Sequence, residues 1–575
     1  MKILGIAHDV HICSAALIEN GEIIFATPEE RLDRKKMSRV FPKLAVQECL
    51  SHAKCDLEDI DEIAIAWNPA LELETIGGGF TESRRTRSEH LMQVPAQLHR
   101  LFGSRGRFAK ADKTLSKFEE HFLNSEKIKY VDHYDAHLGN ALGLSGFRNC
   151  AAAIMDGRGE KDTALFANVN KGKVDILNEV TYPHSLGLFY GAVTHFLGFR
   201  PDSDEWKVMA LSAYAKGKNP YTAKMKQLFQ ISKNGLGFEV DLNYFQYYNV
   251  SEPLFYSDKF VDVFGKPRLH DEELENKHFQ IAQAMQATFE DVMVKLLNGL
   301  HVRTGQEKLV VSGGCFMNSL FNGKIKDKCR FKEVFIGSCP DDSGTSIGAA
   351  FWRTICHEKR GISTKSIKHN FWGRKYSDQQ CFEAALKYKL PNSKVVTNPS
   401  KEASVDLVNG KLIGWFQGRS EFGQRALGNR SILADARSSK AKDLVNSAIK
   451  YRESFRPFAP AILEEFVNDY FDCPSGEKVY FMEKVFMFHK NVQKLIPAVV
   501  HGDGTGRLQT VDKKTNPRYY RLIKEFYKQT NIPIVLNTSF NLNGEPNVDC
   551  PEDAIRTFYS CGLDVLYLGN VRIEK

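Results

Sequence analysis

A strand and hairpin that occur twice limit what this chain can fold into. The apolar run Lys2-Ile-Leu-Gly-Ile-Ala7 passes through a polar turn, His8-Asp-Val-His11, into Ser14 to Thr27, which is broken only by Glu19-Asn-Gly-Glu22. Asn-Gly between two β-rich runs signals a tight hairpin, because both residues accept the left-handed backbone that a two-residue turn needs. The pattern returns at Ala151-Ala-Ala-Ile-Met-Asp-Gly-Arg-Gly159, followed by Thr163 to Asn170 and Lys173 to Val180 around another glycine turn. Recurrence at this distance predicts an internal duplication in which each half supplies one anion-binding turn.

A chain of 575 residues exceeds one ordinary core and predicts about two to four domains. Its 42% hydrophobic and 26% charged content is that of a soluble globular protein. A net charge of +8 suits anionic small substrates, but it is too mild for a nucleic-acid surface. No apolar run is long enough to span a membrane, and the start lacks the basic and apolar regions of a signal peptide. Twelve cysteines without a C-x-x-C pair fit a reducing compartment, so the expected location is the cytoplasm.

Between the two hairpins the sequence predicts a helix from Leu44 to Ala53 and a strand from Glu62 to Ala66. Ser83-Arg-Arg-Thr-Arg87 follows, and it reads either as a lid or, preferably, as a solvated insertion. A strand at Lys127 to Val131 leads into a helix beginning near Asp132, on which His133 and His137 share one face. That spacing can pinch a metal ion, although it also arises by chance. Asp156 ends the next strand, and Asp342 sits in another acidic turn, Cys339-Pro-Asp-Asp-Ser-Gly-Thr345. Two imidazoles and two carboxylates suit a first-row divalent metal with open positions. A long helix, Phe279 to His301, then feeds Lys308-Leu-Val-Val-Ser-Gly-Gly-Cys-Phe-Met-Asn318. A buried strand opening into Ser-Gly-Gly at a helix start is a nucleotide-site geometry.

The basic, irregular stretch from Gly361 to Tyr376 marks the expected domain boundary. Beyond it, Gly414-Trp-Phe-Gln-Gly-Arg-Ser-Glu-Phe-Gly-Gln-Arg-Ala-Leu-Gly-Asn-Arg-Ser431 carries Arg419, Arg425 and Arg430, and a second cluster holds Lys450, Arg452 and Arg456. Glycines let backbone approach an anion, and guanidinium forks grip phosphate oxygens in pairs. The buried strand Pro533 to Ser539 delivers Asn537, Thr538, Ser539 and Asn541 at its end, short polar groups able to bond a phosphate or a small amide.

EERLDRKK near residue 30, the His133/His137 pair, VSGGCFMN, PDDSGTSIGAA, EFGQRALGNRSILAD, NSAIKYRESFRPFAP, HGDGTGRLQTV and PIVLNTSFNLNGEP together resemble the O-carbamoyltransferases of antibiotic and Nod-factor biosynthesis. The resemblance covers nearly the whole chain and implies an α/β protein. Its expected plan is a duplicated actin/sugar-kinase-like (Kae1-like) domain over residues 1–362, a linker at 363–376 and a YrdC-like α/β domain over 377–575. The implied reaction has two steps. Carbamoyl phosphate is broken down and the carbamate joined to AMP from ATP, with magnesium, and the carbamoyl group then passes to a hydroxyl of a small-molecule secondary metabolite.

On that resemblance Arg425 and Lys450 would be catalytic, and Arg430, Arg452, Arg507, Asn537, Ser539 and Asn541 would hold carbamoyl phosphate and nucleotide. Ser312, Gly313, Gly314 and Asn318 would lie near the adenosine. His133, His137, Asp156 and Asp342 would ligate iron or another first-row metal. His8, Asp9 and His11 would face the acceptor, with His11 as the base that takes its proton and Asp9 beside it. Glu205-Trp-Lys207 departs from the Glu-Gly-Lys form of the resemblance, and HDVHICS from its HD-A-S form. No nucleic acid or membrane partner is expected, and a homodimer is allowed. The alternatives are a threonylcarbamoyl transferase acting on tRNA and a non-catalytic nucleotide-binding scaffold.

Overall fold

A computed structural model of the whole chain describes residues 1–8, 10–71, 127–249, 252–357, 365–390, 392–450 and 458–575, without the side chains of 448 and 450. Asp9, Arg452, Arg456 and the Ser83 to Arg87 insertion lie outside the described residues, as does the side chain of Lys450. The chain divides into two compact units. The first holds Met1–Phe25, Arg39–Asn318 and Lys324–Ser366; the second holds Ala26–Ser38, Ser319–Gly323 and Ile367–Lys575.

In the first unit β1 (Lys2–Ala7), β2 (Ser14–Glu19), β3 (Glu22–Pro28), β4 (Glu62–Ile65) and β5 (Ile128–Tyr130) form a sheet of order β3-β2-β1-β4-β5. A second sheet uses β6 (Cys150–Met155), β7 (Asp162–Asn170), β8 (Lys173–Thr181), β11 (Lys308–Ser312) and β12 (Glu333–Ile336), in the order β12-β11-β6-β7-β8. The short pair β9 (Phe229–Ile231) and β10 (Phe238–Val240) stands apart. Each large sheet sets an antiparallel hairpin on one side of its first strand and two parallel strands on the other. One strand order used twice is the duplication expected from the repeated hairpins.

Small residues bring the layers together. Gly348, in the helix Thr345–His357, sits where a Cβ would fall 1.7 Å from the Ala136 carbonyl oxygen, and Gly139 where one would fall 2.3 Å from that of Gly348. Only glycine lets this helix and His133–Ser145 approach backbone to backbone. Their N-terminal ends, carrying His133, His137 and Asp342, are thereby drawn together.

Among its described residues the second unit is built on a sheet of ten strands: β13 (Ser393–Val395), β14 (Ile413–Phe416), β15 (Arg430–Asp435), β16 (Ala459–Leu463), β17 (Phe471–Asp472), β18 (Lys484–Phe488), β19 (Thr505–Val511), β20 (Ile534–Ser539), β21 (Val565–Leu568) and β22 (Val571–Glu574). Their order is β13-β22-β21-β14-β15-β20-β16-β19-β18-β17. A large apolar core, including Trp415, Leu433, Ile523, Phe526 and Leu566, packs around it. The helix Pro517–Thr530 buries Tyr519, Leu522, Ile523 and Phe526 at the three- and four-residue spacing of one helix face. Arg31 donates to the carbonyls of Gly423 (2.9 Å) and Val548 (3.5 Å), and Arg34 to those of Asn547 (2.7 Å) and Pro546 (3.1 Å). A segment from the start of the chain is therefore part of this unit. Among the described residues no helix is long and apolar enough to cross a membrane.

Candidate functional site

In the first unit the sequence-predicted ligands converge. His133, His137, Asp156 and Asp342 bring one donor atom each to within 4.8 Å of the others. The two Nε2 atoms are 3.2 Å apart, and Asp156 Oδ2 lies 3.0 Å from that of His137 and 3.4 Å from that of His133. Asp342 Oδ1 is 3.5 and 3.7 Å from the same two atoms. Burial opposes charge on the imidazoles, yet the two carboxylates outweigh it and hold both rings above their usual range, His133 well above. Both carboxyls are held low by the same pairing, Asp342 most strongly, although burial works against it. The cluster is built around positive charge.

The supports of these ligands explain residues expected to meet adenosine. Ser312 donates its hydroxyl proton to the Pro340 carbonyl at 3.2 Å, so its Oγ accepts from His137 Nδ1 at 3.1 Å. In the neutral ring His137 Nε2 then carries its lone pair, and that lone pair faces two carboxylate oxygens. Such facing lone pairs call for a proton or a cation between them, and two imidazoles with two carboxylates fit a first-row divalent metal. Gly314 N–H donates to Asp156 Oδ1 at 3.0 Å, and Gly157 N–H to the same atom at 2.7 Å. At Gly313, with φ of +99°, a Cβ would lie 2.1 Å from the Met155 carbonyl oxygen. Asn318 instead joins a buried amide pair with Gln286, at 2.9 and 3.1 Å, which also receives Tyr190 Oη at 3.0 Å. Glu160, which sequence reading passed over, accepts the His133 N–H at 3.1 Å and the Asn68 N–H at 2.6 Å.

His11 joins this centre through its backbone, whose N–H donates to Asp342 Oδ2 at 3.3 Å. Its side chain is set differently from the expected base. Arg39 Nη2 lies 2.6 Å from His11 Nδ1, and a guanidinium can only donate. Nδ1 is therefore the acceptor and Nε2 carries the proton, 3.9 Å from Asp202. In this tautomer His11 presents a donor at Nε2, whereas the base role expected of it calls for a lone pair there. His8 packs edge-on against Phe41 at 5.6 Å. Nearby, Asp202 N–H donates to Glu205 at 2.7 Å, and burial raises the Glu205 carboxyl to about 7. Trp206 lies 5.9 Å from the Lys207 ammonium.

In the second unit two arginines of the loop hold its backbone. Arg430 is fully buried, stacks 3.7 Å from the Phe416 ring, and donates to the carbonyls of Gln417 (2.7 Å), Asn429 (3.0 Å), Gly418, Arg374 and Asp549 (3.3 Å each). Its donors are spent on the fold, whereas the ligand grip expected of it calls for donors left open. Arg419 likewise donates to the Gly373 carbonyl at 3.0 Å. Glu421 Oε1 accepts the N–H groups of Leu427, Asn429 and Arg430, which fixes the loop from inside. Arg425 and Arg507 are half-buried.

Along β19, Thr505, Arg507 and Gln509 alternate and so share one face. Gln509 accepts from Asn537 Nδ2 at 2.8 Å, so the face continues onto β20. Asn537 Oδ1 is buried without a hydrogen-bond partner among the described residues. Ser539 Oγ donates to Asn541 Oδ1 at 2.7 Å, the two members of the Ser-x-Asn pair holding one another.

A duplicated strand order bearing a two-imidazole, two-carboxylate centre, followed by a mixed sheet with arginine and asparagine along one face, defines a two-unit α/β protein with a candidate metal centre in the first unit and a polar, arginine-bearing face in the second. Comparison with known proteins narrows this class. The family described as Carbamoyltransferase N-terminus matches residues 2–351, and Carbamoyltransferase C-terminus matches residues 404–575. Nodulation protein NolNO of Sinorhizobium fredii is 32% identical over 98% of this chain and 79% of its own length. Nodulation protein NolO of Bradyrhizobium diazoefficiens is 34% identical over 77% of this chain and 79% of its own length. The uncharacterized protein sll1178 of Synechocystis sp. is 32% identical over 100% of this chain and 96% of its own length. Among solved structures, full-length HypF in its phosphate- and nucleotide-bound form covers 63% of this chain and 56% of its own, at 14% identity and a TM-score of 0.30. The chain belongs to the carbamoyltransferase family and is a carbamoyltransferase.

Proposed function

We propose that the protein makes carbamoyl-adenylate from carbamoyl phosphate and ATP, and transfers the carbamoyl group to a hydroxyl of a small-molecule secondary metabolite. The observation that carries this reading is the presence of two electrostatically opposite centres, each inside the span of one half of the family. The second unit, residues 377–575 in the main, would supply Arg425, Lys450, Arg452 and Arg507 as cations, with Asn537, Ser539 and Asn541 as uncharged bonding groups. Such groups stabilise charge on phosphate oxygens as bonds change and keep short-lived carbamate from water. Arg430 would act by holding the loop's shape.

The first unit, within residues 1–362, would carry the transfer. His133, His137, Asp156 and Asp342 would hold a divalent metal, with iron the leading candidate; when bound, it would fix an anionic oxygen and draw charge from it. Asn318 and the Gly313-Gly314 turn would border the nucleotide. His11 Nε2–H would donate to the acceptor or to the carbamoyl oxygen. Relatives named as nodulation proteins support an acceptor from specialised rather than central metabolism.

The test is pyrophosphate release from ATP, magnesium and carbamoyl phosphate, followed by a screen of polyols, sugars and antibiotic scaffolds for a mass gain of one carbamoyl group. Pyrophosphate that forms only when carbamoyl phosphate is present supports the adenylate step. A chain that carbamoylates an acceptor without consuming ATP would overturn it.

A further inference from the structure

His501, which the proposed chemistry leaves unused, is held in one tautomer by a relay of hydrogen bonds. Asp503 Oδ1 accepts the Thr505 hydroxyl at 2.7 Å and the Thr505 N–H at 3.1 Å. The hydroxyl proton is thus committed, and Thr505 Oγ1, 3.0 Å from His501 Nδ1, can only accept there. Nδ1 therefore carries the ring's proton and Nε2 presents a lone pair. Among the described residues no hydrogen-bond partner meets Nε2.

The turn is fixed at both ends. His501 N–H donates to the Thr505 carbonyl at 2.8 Å, Gly504 N–H to the His501 carbonyl at 3.0 Å, and Ala498 N–H to the Ala436 carbonyl at 3.2 Å. The charged groups facing the ring are Arg507 on β19, Lys442 on the helix Ser439–Val445, and Asp503 on its own turn. Burial, with Arg507 and Lys442 adding to it, lowers the imidazole to about 4, so at neutral pH the lone pair is available. Thr505 lies on the β19 face that runs through Arg507 to Gln509 and Asn537, so His501 stands at one end of the row assigned to anion binding.

We propose that His501 is the general base that activates water for the breakdown of carbamoyl phosphate in the second unit, with Thr505 and Asp503 as its positioning residues. The assignment rests on the proposed carbamoyl-adenylate function. Water oxygen adds to the carbamoyl carbon while its proton passes to Nε2. The carbon–oxygen bond to phosphate then breaks, the electron pair staying with phosphate, which takes the proton from Nε2 and leaves as hydrogen phosphate. The carbamic acid left behind ionises to carbamate, which is then joined to AMP. Arg507 steadies the departing phosphate, and the low affinity of the ring for a proton favours passing it on.

The test uses the full-length protein and two routes to the same adenylate. One starts from carbamoyl phosphate and is followed by phosphate release; the other supplies ammonium carbamate directly and is followed by pyrophosphate release from ATP. His501→Gln is expected to slow phosphate release by ~100-fold or more, within the range of general-base catalysis, while pyrophosphate release from ammonium carbamate stays within about threefold, as bypass of the lost step requires. Thr505→Val should lose part of the phosphate-release rate, and Thr505→Ser should recover most of that loss. Phosphate release in the unaltered protein should stay level from neutral pH down to about 5 and fall as the ring protonates near 4. Unchanged phosphate release in His501→Gln, or equal loss on both routes, would overturn the assignment. If the unaltered protein releases pyrophosphate on neither route, the functional reading falls and takes this assignment with it.

Discussion

His137 in the first unit and His501 in the second are held by the same device and put to opposite use. Each donates Nδ1–H to a hydroxyl whose own proton is spent elsewhere: Ser312 to a carbonyl, Thr505 to a carboxylate. Each therefore turns an Nε2 lone pair outward. What that lone pair faces differs. Asp156 and Asp342 meet His137, and its affinity for a proton rises; Arg507 and Lys442 stand by His501, and its affinity falls. The hydroxyl decides the tautomer, and the surrounding charge decides whether the nitrogen seeks a cation or stays a free base.

The comparison breaks first at His137. His137→Gln leaves two buried carboxylates short of a partner, and metal analysis of the purified protein should show divalent ion binding weakened beyond ~100-fold, past the range of changes to supporting groups. Carbamoyl transfer should fall with it, while pyrophosphate release should persist. Ser312→Ala removes only the support under Nδ1, and titration with a divalent metal should show a ~10–100-fold loss of affinity. If binding is unchanged, the hydroxyl does not set the ring.

Arg507→Met should sharpen the other half. The His501 resonance, followed by NMR against pH, should titrate higher than about 4 and move toward the ordinary 6.5. No movement would show that charge from Arg507 does not reach the ring. The smallest effect expected is on stability. The ring's folded value, about 4, lies below its ordinary 6.5, so the unfolded chain binds more protons between them. The stability contributed by the neutral ring is complete above 6.5 and is lost as pH falls through about 4. Denaturant midpoints should decline more steeply over that window in the unaltered protein than in His501→Gln; parallel curves would count against a neutral folded ring.

Sequence made the ligands legible but not their settings. His133 and His137 were readable because helix geometry makes four-residue spacing a shared face, and Asp156 and Asp342 because acidic turns close their strands. Ser312 lies 175 residues from the ring it supports, so no local pattern could join them. His501 was within reach, since Thr505 follows it by four residues in one turn. Sequence alone gives it no role, because a histidine in a glycine-rich turn shows no tautomer. Three arginines in a glycine-rich loop read as an anion grip, yet Arg430 serves carbonyls contributed by residues 374, 417, 418, 429 and 549. A guanidinium in a glycine-rich run looks the same whether it awaits phosphate or binds its own backbone. The repeated hairpins predicted the duplicated strand order, whereas the membership of residues 26–38 in the second unit had no periodic signature.

That membership sets a timetable for synthesis. Arg31 leaves the ribosome well before its acceptor carbonyl on Val548, which lies 517 residues downstream. At roughly 5–20 residues per second, the interval is about half a minute to two minutes. The Gly423 carbonyl, 392 residues downstream, arrives first, and the segment's acceptors in the second unit are complete only when the stretch around Val548 has been made.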